Sequence, residues 1–101
     1  MIAIYQLRDP RTGAVRYIGK TNNPRERLAE HRRGKSAGVR VCEWLRELLA
    51  AGLSVIMEVI AEVADADARS AERAAILASG ADLLNTVIPG GRLQWRYKPS
   101  N

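Results

Sequence analysis

The protein has 101 residues, and its 16 Lys and Arg against 11 Asp and Glu give a formal charge of +5 at pH 7. This length fits one domain, and a composition that is 47% hydrophobic and 27% charged argues against a disordered chain. No apolar run approaches the roughly 20 residues of a membrane span, and the first residues lack the pattern of a signal peptide. One His and one Cys, Cys42, exclude a zinc site and an internal disulfide. We therefore expect a reduced, cytoplasmic protein.

Positive charge is concentrated in the first part of the chain. Residues 1–40 carry ten Lys and Arg against three Asp and Glu, whereas residues 41–80 carry three against seven. A basic surface on a small domain indicates a polyanionic partner, most commonly nucleic acid. Charge alone fits an Arg-rich surface that contacts only water equally well, so the choice depends on the motifs.

The chain begins with a predicted β-hairpin. Residues 2–8 and 14–19 are rich in β-branched and aromatic side chains, as strands are. Between them, Pro10 and Gly13 favour a turn. The two strands are therefore predicted to pair in antiparallel fashion.

Two helices are predicted next. Asn23 as N-cap and Pro24 at the first helical position predict a helix from 24 to about 33. Residues 39–51 predict a second helix. Its apolar stripe, in which Trp44 is the expected core anchor, contains Val41, Trp44, Leu45, Leu48 and Leu49.

A third strand and a third helix complete the predicted domain. The apolar, β-branched residues 53–63 predict a well-buried strand. A helix capped by Asp65 or Asp67 then runs to about residue 79 and stops at Gly80.

The order ββααβα predicts an α+β fold, a small sandwich with a short, mostly antiparallel sheet of about three strands flanked by helices. We place this domain at residues 1–90. Residues 91–101 form a basic tail in which Trp95 and Tyr97 alternate with cations. That composition suits nucleic-acid stacking, and packing of the two rings on the sheet is an equal alternative.

Five side chains with catalytic chemistry are predicted to converge. Antiparallel pairing brings Tyr5 and Tyr17 close together on one face of the hairpin. Arg27 and His31 are four residues apart on the first helix, and Glu72 lies near the middle of the third. Each residue alone also fits a structural role: cross-strand packing for the phenols, solvation for the imidazole, and an ion pair on its own helix for the carboxylate.

The order and spacing of these residues resemble those of the GIY-YIG nuclease family. Ala3-Ile4-Tyr5 is followed, after 11 residues, by Tyr17-Ile18-Gly19, the paired signature of that family. The resemblance covers roughly residues 2–86, and Ala3 stands where the family has glycine. The matching positions downstream are Thr21, Arg27, His31, Glu72 and Asn85.

The resemblance implies a metal-dependent DNA endonuclease. Glu72 would then hold one Mg²⁺ or Mn²⁺ ion, an ion that one carboxylate and water ligands suit. Arg27 would contact the scissile phosphate. His31 would hydrogen-bond Tyr5 or the phosphate, and Asn85 would fix the site or cap a turn.

A tyrosine is the expected general base, and either phenol qualifies. We favour Tyr17 because Lys20, three residues later, would help to stabilise a phenolate, with Tyr5 orienting the water. The alternative assigns the base to Tyr5.

Further residues are candidates for substrate contacts, which add salt-dependent affinity rather than sequence choice. These are Lys20, Thr21, Arg32, Arg33, Lys35 and Arg40. The alternative functions are a catalytically silent nucleic-acid-binding module and a domain that recruits a protein partner through its acidic middle segment. A homodimer would be one route to a double-strand break.

Overall fold

The computed structural model describes residues 1–36, 38–80 and 83–85. A one-turn 3-10 helix, Asp65–Asp67, precedes the last helix, and the predicted order ββααβα is confirmed. The elements are β1 (Ile2–Arg8), β2 (Val15–Thr21), α1 (Pro24–Arg32), α2 (Val39–Ala50), β3 (Ile56–Val63) and α3 (Ala68–Ser79). The predicted tail at 91–101 and the domain boundary at 90 lie outside the described residues.

The three strands form one antiparallel sheet in the order β2-β1-β3, so the predicted α+β fold is confirmed. In the hairpin, Tyr5 pairs with Gly19 and Leu7 pairs with Tyr17. Strand side chains alternate between the two faces of a sheet. Tyr5, Leu7 and Tyr17 therefore share one face.

Helices cover both faces of the sheet. On one face, Tyr5 and Leu7 pack with residues of α2. On the other face, Ile4 and Ile18 pack with Ile76 of α3. The hairpin, which carries both tyrosines, is thus held between two small cores.

Helix α2 is anchored as predicted. Trp44 is 7% exposed, and its Nε1–H donates to Oδ2 of the buried Asp9 at 3.0 Å, which ties the hairpin turn to the helix. One member of the predicted stripe is wrong, because Leu49 is 52% exposed. Successive helical residues differ by about 100°, so Leu49 turns away from the sheet that Leu48 contacts.

The prediction that β3 is a well-buried strand is wrong. It starts at Ile56 rather than at 53 and lies at the edge of the sheet. Within the part of the chain that the structure describes, Ile56, Val59 and Ile60 of this strand are 42%, 46% and 44% exposed. An edge strand has only one neighbour in its sheet, and an apolar sequence with high β-propensity does not reveal that position.

The helix ends agree with the sequence signals except at one cap. The side chain of Asn23 accepts the N–H of Glu26 at 3.2 Å, and Gly80 ends α3 at φ 62°. Asp67 occupies the N-cap position of α3, but its side chain makes no capping hydrogen bond. None of the helices described here is long and apolar enough to cross a bilayer.

Candidate active site

Three rings meet where the hairpin faces the end of α1. The ring centroids of Tyr5 and Tyr17 are 6.2 Å apart, and His31 lies 5.7 Å and 6.0 Å from them. The sheet register puts both phenols on one face, and His31, in the last turn of α1, reaches that face. The predicted convergence of these three residues is therefore present.

A buried hydrogen bond joins Tyr5 to His31. The Tyr5 hydroxyl is 2.8 Å from Nε2 of His31, whose Nδ1 is 3.0 Å from the carbonyl oxygen of Lys35. A carbonyl only accepts, so Nδ1 carries the proton and Nε2 accepts from the phenol. His31 was expected to hydrogen-bond either Tyr5 or the phosphate, and the bond with Tyr5 is present. This bond orients the Tyr5 ring.

The absence of a side chain at Gly19 leaves space for the rings of Tyr5 and Tyr17 beside the β2 backbone. A Cβ added there would be 2.6 Å from the Tyr5 hydroxyl oxygen and 2.8 Å from Cε2 of Tyr17. Any side chain would displace the phenols. Sequence reasoning used Gly19 only as a motif letter, although glycine inside a strand is a recognised signal of close approach.

Burial favours the neutral forms of the three rings. Burial raises the pKa of Tyr5 and that of Tyr17, and burial lowers the pKa of His31. The Arg27 guanidinium favours the phenolate forms, because it lowers the pKa of both tyrosines, whereas the Glu72 carboxylate raises the pKa of both. Both charges are therefore close enough to influence the ionisation of the phenols.

Arg27 lies one turn before His31 on α1 and has a partly exposed guanidinium. Its Nε is 3.5 Å from Oε1 of Glu30, and its side chain is 40% exposed. A contact between exposed groups three residues apart on a helix is weak. The guanidinium can therefore exchange this partner for a phosphate at little cost.

Glu72 pairs across elements rather than along its own helix. Its Oε1 is 3.0 Å from Nζ of Lys20, and the Glu72 side chain is only 12% exposed. The expectation that Lys20 favours a phenolate at Tyr17 is wrong. Strand alternation directs residues 17 and 20 to opposite faces of the sheet, and the Lys20 ammonium contacts Glu72 instead.

Glu72 would contribute a single carboxylate to the expected cation site. No cluster of three or more His, Cys, Asp or Glu side chains able to hold a metal occurs within 1–36, 38–80 and 83–85. A single hard carboxylate suits Mg²⁺ or Mn²⁺, ions that keep water ligands and use phosphate oxygens, and it does not suit zinc.

Asn85 binds the backbone of the Tyr-Ile-Gly segment. Its Nδ2 donates to the carbonyl oxygen of Ile18 at 2.8 Å, and its Oδ1 accepts the Ile18 N–H at 3.2 Å. The preceding Leu84 N–H donates to the carbonyl of Arg16. Asn85 therefore holds β2 beside Tyr17 and Gly19.

The remaining candidates lie outside the ring cluster. Thr21 is 8% exposed, and its Oγ1 accepts the Asn23 N–H at 3.1 Å, which shapes the turn into α1. Four basic side chains are exposed along the end of α1, the following loop and the start of α2, namely Arg32, Arg33, Lys35 and Arg40.

Ser36 is a neighbour of Tyr17 that the sequence did not indicate. Its Oγ is buried without a hydrogen-bond partner, the one such atom in the described part of the chain. The Ser36 hydroxyl is close enough to the Tyr17 hydroxyl to lower the pKa of that phenol, against the effect of burial, although it does not reach the geometry of a formed hydrogen bond. A serine in a loop of Gly, Lys, Ser and Ala carries no sequence signal for such a position.

One comparison with known proteins gave a match, and it identifies a family. The family described as GIY-YIG catalytic domain matches residues 1–82 of the 101-residue chain. Asn85 lies just beyond the match. Neither the curated proteins nor the solved structures yielded a significant match. Because the family match spans most of the chain, the protein belongs to the GIY-YIG family of nucleases.

Proposed function

We propose that this protein is a metal-dependent DNA endonuclease that hydrolyses phosphodiester bonds with a tyrosine general base and one divalent cation. The observation that carries the proposal is the meeting of Tyr5, Tyr17 and His31, under the electrostatic influence of one guanidinium and one carboxylate. Membership of a nuclease family supports the reaction type. A purely structural hairpin has no need of this combination of groups.

Tyr17 is the better candidate for the base, for a reason different from the one expected. Tyr5 is 2% exposed, and its hydroxyl is already bonded to His31. Tyr17 is only partly buried, so water reaches its ring more readily. A base must lie within hydrogen-bond reach of the water it activates. Tyr5 and His31 then act as the rigid support that positions Tyr17.

Tyr17 can accept a proton only after losing its own, and its surroundings control that loss. Burial and the Glu72 charge oppose phenolate formation, whereas Arg27 and the Ser36 hydroxyl favour it. Glu72 would hold the divalent cation, which would supply positive charge at the phosphate and the leaving oxygen. On this basis Tyr17 takes a proton from the attacking water, and Arg27 binds the scissile phosphate through its forked donors.

DNA is the proposed substrate because the exposed cations are concentrated on one stretch of chain. Residues 1–40 carry ten Lys and Arg, and the four at the end of α1, in the following loop and at the start of α2 are exposed. Such side chains bind phosphates without reading sequence. The reducing cytoplasm, where Cys42 stays a thiol, is the proposed place of action.

Cleavage of supercoiled plasmid tests the proposal. We expect nicked circles in Mg²⁺, no product in EDTA, and a loss of at least about 100-fold in rate for Glu72→Gln with DNA binding retained. Glu62→Gln, on the exposed part of β3, is the matched control and should cleave normally. DNA binding by the native protein without any cleavage would favour the catalytically silent module. Full activity of Glu72→Gln would remove Glu72 from the site.

A further inference from the structure

Glu72, the proposed cation ligand, lies in an ion pair that joins α3 to β2. Its Oε1 is 3.0 Å from Nζ of Lys20, and the two side chains are 12% and 42% exposed. The carboxylate is the more desolvated partner, and a desolvated charge without a partner is costly. Lys20 therefore serves as the counter-ion that makes a buried carboxylate tolerable at this position.

The choice of Lys20 as the partner is a property of the tertiary structure. Arg69 and Arg73 are closer to Glu72 in sequence and lie on its own helix, but both are exposed and neither forms an ion pair with it within the described residues. Lys20 instead comes from β2, one residue after Gly19. The counter-charge is thus supplied by the strand that carries Tyr17.

An ammonium group and a divalent cation cannot both contact this carboxylate cheaply. Like charges within a few ångströms of each other repel strongly when they are partly shielded from water. The Lys20 ammonium can withdraw from Glu72, because the partly exposed four-carbon side chain of Lys20 can move without disturbing the backbone. Cation binding at Glu72 should therefore displace the ammonium.

We infer that Lys20 is a competing counter-ion, which occupies Glu72 until a divalent cation takes its place. The inference rests on the proposed function, since it takes Glu72 as the cation ligand.

The direct test is the affinity of the full chain for Mn²⁺ in the absence of DNA, measured from the electron paramagnetic resonance signal of free Mn²⁺. A partly exposed ion pair is modest in strength, so we expect Lys20→Met to lower the Kd by about fivefold. Arg73→Met removes the same charge from the exposed surface of α3 and should change the Kd by less than about twofold. Glu72→Gln should abolish this binding.

The outcomes separate the inference from the proposed function. Circular dichroism verifies that each variant folds, and Lys20→Gln replaces Lys20→Met if the latter does not. An unchanged or weaker affinity in the Lys20 variant overturns the inference, as does an equal gain in Arg73→Met. Plasmid cleavage that still depends on Glu72 would leave the proposed function intact in either case. If Glu72→Gln binds Mn²⁺ like the native protein, the inference and the proposed function are both wrong in taking Glu72 as the cation ligand.

Discussion

The hydroxyl oxygen of Tyr5 lies 2.8 Å from Nε2 of His31, and these residues are only 2% and 1% exposed. Nδ1 of the imidazole contacts the carbonyl oxygen of Lys35, so the ring is fixed at both nitrogens. A phenol on β1, a histidine at the end of α1 and the loop after it are thereby joined in one buried chain of hydrogen bonds. This chain makes the stability of the domain depend on the charge of one imidazole.

We predict a loss of stability in mild acid that originates at His31. Burial lowers its pKa in the folded state, so below pH 6.5 the unfolded chain binds a proton that the folded chain does not. The stabilisation is complete above pH 6.5 and falls as the pH decreases, with a slope of at most about 1.4 kcal/mol per pH unit. Urea unfolding at pH 7.5 and 5.5 measures this loss. A His31→Gln variant should show a smaller difference, and an equal difference would contradict the assignment.

The two tyrosines are predicted to fail in different ways. Tyr17→Phe should lower the single-turnover cleavage rate by at least about 100-fold with little change in stability, because it removes the base and keeps the ring. Tyr5→Phe leaves Nε2 of His31 buried without a donor, which should cost about 1–3 kcal/mol of unfolding free energy. Chemical denaturation and quenched-flow cleavage measure the two effects. An inactive Tyr5→Phe beside an active Tyr17→Phe would assign the base to Tyr5.

Gly19→Ala should disrupt the site by steric contact. Its new Cβ would lie 2.6 Å from the Tyr5 hydroxyl oxygen, so we expect a loss of about 1–3 kcal/mol and of most activity. Gly52→Ala is the control: it meets no atom within 4 Å, and its φ of +74° costs about 1–2 kcal/mol of backbone strain. That control should lose stability and keep its rate per folded molecule. Normal cleavage by folded Gly19→Ala would show that the close approach of the phenols is not needed.

Arg27→Lys tests whether the phosphate needs a fork of donors. The substitution keeps the charge and loses the planar guanidinium, so the cleavage rate should fall at least about tenfold, or roughly 1.4 kcal/mol. Arg25→Lys, an exposed position on the same helix, should cleave at the normal rate. Equal rates for both variants would mean that only the charge at residue 27 matters.

The exposed cations from the end of α1 to the start of α2 are predicted to act as phosphate contacts. Replacing one of them by alanine should weaken binding to all duplex sequences alike and lower the slope of log K against log salt by about 0.9. The positions to test are Arg32, Arg33, Lys35 and Arg40. Arg69→Ala, on α3, is the charge-matched control. Fluorescence anisotropy at several salt concentrations measures the slope, and unchanged slopes in all four variants would assign these residues to a solvated surface.

Local sequence signals determined most of the secondary structure. Alternating β-branched residues, the Asn23 cap and Gly80 are short-range features, and the hairpin, α1 and the end of α3 lie where they predict. The spacing of Tyr5 and Tyr17 also sufficed to put both phenols on one face, because strand alternation and antiparallel pairing follow directly from the backbone.

Only the tertiary structure decided which groups are neighbours. The apolar sequence of β3 fits a central strand as well as an edge strand. Only the strand order β2-β1-β3 puts it at the edge of the sheet, where apolar side chains are exposed. Sequence arguments offered Glu72 an ion pair only with Arg69 or Arg73 on its own helix, whereas packing of α3 against β2 selected Lys20. Because the Lys20 ammonium contacts Glu72, it does not stabilise a phenolate at Tyr17. Ion pairs between elements depend on relative positions in space, which periodicity and propensity do not encode.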